Sequence, residues 1–328
     1  MRTTLGRPRP RPGSPAQPQP IRHSRRVTNP AGPVLGIDVG GTTVKGEVTA
    51  VDGTVLAQST VATPRGDAAI EAIAELGADL IARSPVERAA VLLPGIVDAD
   101  RGVAVFSANI GWRDRPVRDL LEARWGIPVV IDHDVATAGW AEWRFGAGRG
   151  HDDVCVLIVG TGISGSLAVG GRQVRGGRGQ PGEYGHIPVR PDGIACACGN
   201  VGCMETVASA AAITREYTRR SGREIDGSAA VFAALETDPV AREVWSDAVE
   251  AMADGMIGVI HAVSPELLVL AGGLAGAGSA VTEPLRRALD ARLTVVPAPD
   301  VVVGKFGARA GLVAAGLLAR LGERSDTA

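Results

Sequence analysis

Asp38-Val39-Gly40-Gly41-Thr42-Thr43-Val44-Lys45 joins two apolar segments, Val34–Val39 and Val44–Val51. This pattern predicts two strands around a glycine turn. Asp52-Gly53 is a hairpin signal, and Thr54–Val61 reads as the return strand. With no Cβ in the way, the amides of Gly40 and Gly41 can face an anion, and Thr42 and Thr43 add hydroxyl donors. Asp38, at the strand end, suits Mg²⁺, held directly or through water. No helix and no Gly-Lys-Ser/Thr triplet follows, so the stretch is neither a P-loop nor a Rossmann turn. A ligand-free hairpin accounts for the same residues, so the stretch decides the fold only together with its counterparts downstream.

The device recurs twice. Val159-Gly160-Thr161-Gly162-Ile163-Ser164-Gly165 lies between strands predicted over Val154–Val159 and Ile163–Val169. Leu270-Ala271-Gly272-Gly273-Leu274-Ala275-Gly276 follows the apolar run Leu267–Leu270 and precedes a helix predicted over Thr282–Arg292. Asp67–Arg83 has helical apolar spacing at Ile70, Ile73, Leu76, Leu80 and Ile81. Further helices are predicted over Pro116–Trp125, Asp134–Phe145, Glu205–Arg220, Ser228–Leu235, Pro239–Val263 and Arg309–Arg320, with strands over Ala89–Leu93, Ile127–Ile131 and Val301–Val303. Each half reads strand, glycine turn, strand, helices. That shared order predicts two similar α/β lobes, and the cleft between lobes is a preferred ligand site.

A length of 328 residues fits two domains at roughly 100–200 residues each. With 45% hydrophobic and 21% charged residues, wholesale disorder is excluded. The net charge of −2 excludes the overall basicity of a dedicated nucleic-acid binder. The charge is uneven: residues 1–33 hold seven arginines and no acid, which leaves −9 for the remainder. The proline density of Arg7–Pro12 and Gln17–Pro20 predicts a disordered, solvated extension, with no aromatics interleaved to bind nucleic acid or membrane. No apolar run approaches the ~18 residues of a membrane span, and no secretory leader is visible. A cytoplasmic location with reduced cysteines is expected.

Cys196-Ala197-Cys198-Gly199-Asn200-Val201-Gly202-Cys203 places three thiols on a tight loop, with His186 ten residues before the first. One imidazole and three thiolates make a closed tetrahedral set for structural zinc; free thiols or a redox pair are the alternative. Asp132-His133-Asp134 sits where a strand meets a helix. Asp134 is a candidate general base or a helix N-cap, and Asp132 a cap or a supporting group. Glu183 and Glu205 flank the metal candidates, which would hold them rigidly as acceptors for the hydroxyl groups of a sugar. Asn109, in Ser107–Trp112, can donate and accept to vicinal hydroxyls or can simply form a turn.

Together these residues resemble the ROK family of bacterial sugar kinases and regulators, over about Val34 to Arg320. The most specific parts are Asp38–Lys45, Glu183–His186 and Cys196–Glu205, and the overall pattern, including the Trp140–Gly146 helix end, looks closest to the family's actinobacterial glucokinases. The resemblance implies an actin-like ATPase fold of two α/β lobes around a cleft. Residues 34–132 would form a small lobe completed by 305–328, and residues 133–304 a large lobe with the zinc loop. It implies ATP-Mg²⁺ phosphorylation of the 6-hydroxyl of glucose or a close analogue, with Asp134 as catalytic base. Phosphates would lie on Asp38, Gly40, Gly41, Thr42, Thr43, Lys45, Gly160, Thr161 and Gly162, with the adenosine turn at Gly272 and Gly273. Asn109, His133, Asp134, Glu183, His186 and Glu205 would face the sugar, and His186, Cys196, Cys198 and Cys203 would hold Zn²⁺. A homo-oligomer, dimer or tetramer, is implied. The family also contains repressors, but 33 proline-rich residues before Val34 do not suit a helix-turn-helix domain. Two departures stand out: His133 replaces a usual Asn, and Ser164 a usual Gly. His133 should reshape recognition near the sugar 3-position, which makes 3-amino-3-deoxyglucose (kanosamine), an antibiotic precursor, the alternative substrate.

Overall fold

The computed structural model describes residues 29–177 and 179–326. The expected disordered extension falls almost wholly on residues 1–28, outside the described residues. Residues just before Val34 are tied to the fold: the Arg320 guanidinium donates to the carbonyls of Pro30 and Gly32, and Glu87 accepts from the Ala31 amide.

β1 (Val34–Val39), β2 (Thr43–Thr49) and β3 (Val55–Ala62) form the expected antiparallel meander. α1 (Asp67–Arg83) covers one face of it with Ile70, Ile73, Leu76 and Leu80, while β4 (Arg88–Leu93) runs parallel to β1. β5 (Ile96–Asp98), β6 (Val103–Ser107) and β7 (Trp112–Arg115) make a separate three-stranded antiparallel sheet. Sequence periodicity did not resolve it, because β5 is three residues long and β7 reads Trp-Arg-Asp-Arg. α2 (Val117–Trp125) stops at Gly126 in the left-handed conformation, and β8 (Val129–His133) leads straight into α3 (Asp134–Phe145).

The second half repeats the plan with β9 (Val154–Val159), β10 (Ile163–Val169) and the short β11 (Arg172–Gln173). The helix expected over Glu205–Arg220 is two: α4 (Glu205–Ala208) and α5 (Ala210–Ser221). Ser209 breaks it, because its extended backbone and its hydroxyl, accepting from the Ala212 amide at 3.1 Å, start a new helix. α6 (Gly227–Ala233), α7 (Pro239–Val263), β12 (Leu267–Ala271), α8 (Ser279–Asp290), β13 (Asp300–Val303) and α9 (Ala310–Leu321) follow.

The two five-stranded sheets have one topology. Their orders, β3-β2-β1-β4-β8 and β11-β10-β9-β12-β13, each pair antiparallel, antiparallel, parallel, parallel. α9 packs on β1 and β4, α3 packs on β9 and β10, and the two helices pack on each other between the sheets. Their shared core holds Val34, Leu92, Trp140, Val156, Ala314, Ala315 and Leu318, all at most 1% exposed. The outer faces carry separate cores under α1 and α2 and under α4 to α8. The strand–helix junctions of both halves therefore converge, bringing the glycine turns to one place.

Candidate active site

The β1–β2 and β9–β10 turns are each closed by the amide of their first glycine, the second being one residue shorter. The Gly40 amide donates to the Thr43 carbonyl and the Gly160 amide to the Gly162 carbonyl, both at 2.9 Å. Those amides close their turns and leave Gly41-Thr42 and Thr161-Gly162 as exposed apices. Thr63 steadies the first turn, its hydroxyl and amide donating to the Gly40 and Thr42 carbonyls. α5 steadies the second, the Ala210 amide donating to the Gly160 carbonyl at 2.8 Å. Thr43 opens β2, and Lys45 stands directly opposite Asp38 in the ladder. The Asp38 carboxylate lies against α9 at Gly311, where a Cβ would come within 2.3 Å of it. Burial, with Asp134 nearby, pushes Asp38 up to about 6, against the lowering effect of Lys45.

A cavity of about 330 Å³ opens between the halves. Asn109, His133, Asp134, Gly160, Gly162, Glu183, His186 and Glu205 all line it, so the entire sugar-side set read from the sequence is gathered. Asn109 sits in a loop clamped by the Gly111 amide on the Ser107 carbonyl (2.7 Å) and the Gly66 amide on the Ile110 carbonyl (2.6 Å). Asp134 opens α3 with Oδ1 accepting the Val135 amide at 2.8 Å. Burial pushes its carboxyl up to about 7; that amide opposes the shift and Glu183 adds to it. Glu205 reaches under the second turn, accepting the Ile163 amide at 2.8 Å.

The N-cap of α3 is neither aspartate. His133 Nδ1 accepts the Ala136 amide at 3.1 Å, so the neutral ring carries its proton on Nε2, 3.6 Å from Asp134 Oδ1. Burial holds the ring below its usual range. Asp132 instead pairs with Arg324 and accepts the His133 amide.

His186, Cys196, Cys198 and Cys203 bring four ligand atoms within 4.8 Å of one another. Cys196 Sγ to His186 Nδ1 and Cys198 Sγ to Cys203 Sγ are both 3.6 Å. A Zn–S bond of about 2.3 Å in a tetrahedron separates ligand atoms by about 3.8 Å, so the donor set fits zinc. The two roles of His186 divide by ring atom: Nδ1 faces the thiols, and Nε2 lies 3.8 Å from Glu183 Oε2 beside the cavity. All four cysteines are free, Cys155 buried in the core.

A second cavity, about 690 Å³, runs along α5 and α6 from Thr161 to Gly273. Gly272 makes its end possible: φ is 84°, and a Cβ there would lie 2.5 Å from the Val159 carbonyl. A short 3₁₀ turn, Gly273–Ala277, separates this strand end from α8. Thr214, Arg215, Thr218, Glu224 and Ser228 line the cavity and were not singled out in the sequence, because they read as the wet face of ordinary helices or, for Glu224, as the loop between them. Likewise Pro94, Gly95 and Gln180 line the first cavity from loops without periodicity. Ser164 lines it too and donates to the Gly182 carbonyl at 3.2 Å.

Two sheets of one topology, packed through α3 and α9 and presenting paired glycine turns beside a carboxylate with a raised pKa, define an actin-like ATPase fold with a phosphoryl-transfer cleft. Residues 34–321 match the model of the ROK family, and the chain belongs to that family. A glucokinase from Streptomyces coelicolor is 31% identical over 310 residues, 88% of this chain and 98% of that protein. The crystal structure of a ROK family glucokinase from Streptomyces griseus in complex with glucose and AMPPNP is 34% identical, with a TM-score of 0.77 over 88% of this chain and 100% of that one. A ROK hexokinase structure from Thermus thermophilus is 35% identical, with a TM-score of 0.73 over 88% of this chain and 98% of that one. Among the described residues no helix is long and apolar enough to cross a membrane.

Proposed function

We propose that this protein is an ATP-dependent glucose kinase. The observation that carries the reading is one cavity holding Asp134 with the acceptors Asn109, Glu183 and Glu205 and the second glycine turn. Residues 34–132 with 305–328, and residues 133–304, are the lobes that close on the substrates. Asp134, ionised, accepts the proton of the 6-hydroxyl as that oxygen bonds to the γ-phosphorus and the bond to the β-phosphate oxygen breaks. The turn apices Gly41-Thr42 and Thr161-Gly162 hold phosphates, Lys45 adds positive charge, and the cavity ending at Gly273 takes the nucleoside. Asp38 is the side chain suited to Mg²⁺, which neutralises phosphate charge when bound. His186 Nδ1, Cys196, Cys198 and Cys203 would hold a structural Zn²⁺, a closed set that fixes Glu183 and Glu205 beside the sugar.

His133 favours glucose over an amino sugar. Its Nδ1 is spent as the cap of α3, and the remaining Nε2–H is a donor. A donor suits a hydroxyl oxygen and opposes an ammonium group at the 3-position. The expected result with purified protein and ATP is a highest kcat/KM for glucose across glucose, 3-amino-3-deoxyglucose, N-acetylmannosamine, mannose and fructose. Equal or better turnover of 3-amino-3-deoxyglucose overturns the substrate, and turnover of none overturns the kinase. A homo-oligomer is the expected state, readable by light scattering.

A further inference from the structure

Beyond α9 the chain returns to the catalytic junction. Gly322 ends the helix with φ 81°, and residues 324–326 then bind β8, α3 and β11. Arg324 forks onto Asp132, Nε to Oδ2 at 2.6 Å and Nη2 to Oδ1 at 3.1 Å, with each side chain only 11% exposed. Its Nη1 donates to Gln173 Oε1 at 2.6 Å. Further contacts seat the segment: Trp140 Nε1 donates to the Ser325 carbonyl (3.0 Å), Arg175 to the Arg324 carbonyl (2.9 Å), and the Gln173 backbone amide to the Asp326 side chain at Oδ1 (3.1 Å).

These contacts meet the base from both directions along the chain. Upstream, Asp132 Oδ1 accepts the His133 amide at 2.7 Å, so the carboxylate fixed by Arg324 fixes the backbone immediately before Asp134. Downstream, the Gln173 carboxamide fixed by Arg324 donates to the Ala136 carbonyl at 2.7 Å, in the first turn of α3, and to Ser166 Oγ at 2.9 Å. Asp134 lies between the two anchored points. We propose that Arg324 is a positioning residue of the phosphoryl-transfer site, its fork on Asp132 and Gln173 holding the β8–α3 junction so that Asp134 stays aimed into the cavity. Arginine suits this role because its planar fork serves two acceptors at once, whereas a lysine ammonium would serve one well. The inference rests on the kinase reading through the role given to Asp134.

The test uses the full chain carrying Arg324→Gln, Arg324→Lys, or Asp132→Asn with Arg324→Gln. Small displacements of a positioned group are costly, so Arg324→Gln should lower kcat for glucose roughly 10- to 100-fold while KM for ATP stays within about twofold. Arg324→Lys should fall between it and the wild type. Hydrogen exchange of the amides of residues 134–137 should quicken by about tenfold in Arg324→Gln, with exchange in β9 and β12 unchanged. A folded Arg324→Gln protein with kcat within about twofold of wild type overturns the proposal, as does a kcat loss matched by an equal loss of ATP affinity. Should that variant fail to fold with Asp132 buried and unpaired, the double variant removes the stranded charge and decides by the same kcat criterion. If the wild type turns over no sugar, the kinase reading fails by itself. Exchange at residues 134–137 then tests the strap, and unchanged exchange overturns it.

Discussion

Asp134 must be ionised to accept a proton, yet its surroundings oppose the charge. Burial and Glu183 raise its pKa to about 7, and the Val135 amide compensates only in part. A base poised near the working pH is what proton transfer requires. In the free enzyme kcat/KM for glucose should therefore fall as pH drops through about 7, and a pH–rate profile checks it. Asp134→Asn keeps the shape and removes the base, so kcat should fall by roughly 10²–10⁴-fold while calorimetry still detects glucose and ATP binding. A near-normal kcat would remove Asp134 from this role. The position of Asp134 at a strand–helix junction was legible in the sequence. The cap of that helix was not, because histidine is outside the usual capping set and Asp132 and Asp134 both belong to it.

At the scale of elements, the glycine turns and the long helices were legible because each carries a local signal. Asp67–Arg83 and Pro239–Val263 match their expected bounds, as do β1, β9 and β10. The β5–β6–β7 sheet escapes periodicity because its strands are short and partly polar, the break at Ser209 turns on a single cap inside a continuous helical pattern, and the strap at Arg324 depends on partners distant in sequence. Glu142 is another such case. Within the helix pattern it reads as one more polar residue, yet it is fully buried. Its carboxylate accepts the amides of Ala147 (3.2 Å), Lys305 (2.9 Å) and Phe306 (2.8 Å), tying the end of α3 to the segment that leads into α9. Glu142→Ala strands these donors, so urea unfolding should record a loss of about 3 kcal/mol or more, with a smaller loss for Glu142→Gln. The cysteine loop makes a separate prediction. Cys198→Ser should lower zinc content and raise KM for glucose more than KM for ATP. His186 and Glu183 border the cavity proposed for the sugar, whereas residues of α5 and α6 line the one proposed for the nucleoside. Zinc-free protein with an unaltered glucose KM would separate the loop from sugar binding.

For the whole molecule, the first sheet gathers acids at one edge of the cleft, because β1 and β8 run parallel on either side of β4 and end close together. Asp38 comes from β1 and Asp134 from the β8–α3 junction, and their proximity raises Asp38 beyond what burial alone does. Both have folded pKa values above the unfolded carboxylate range, at about 6 and about 7. Between roughly pH 4 and those values the folded state holds protons that the unfolded chain has released, so stability falls as pH rises through this window and levels off above it. Each shift is worth on the order of a few kcal/mol, since one pKa unit corresponds to about 1.4 kcal/mol. The ligand-free protein should therefore have a lower Tm at pH 8 than at pH 5.5 through these groups. Asp134→Asn should raise Tm at pH 8 and flatten the dependence, even as it lowers turnover. ATP-Mg²⁺, which places cations near Asp38, should restore part of the stability at pH 8 in the wild type and less in the variant. Differential scanning calorimetry at the two pH values reads all three. A Tm of Asp134→Asn at pH 8 equal to or below that of the wild type would mean that the carboxylate is compensated in the folded protein and that burial does not raise its pKa.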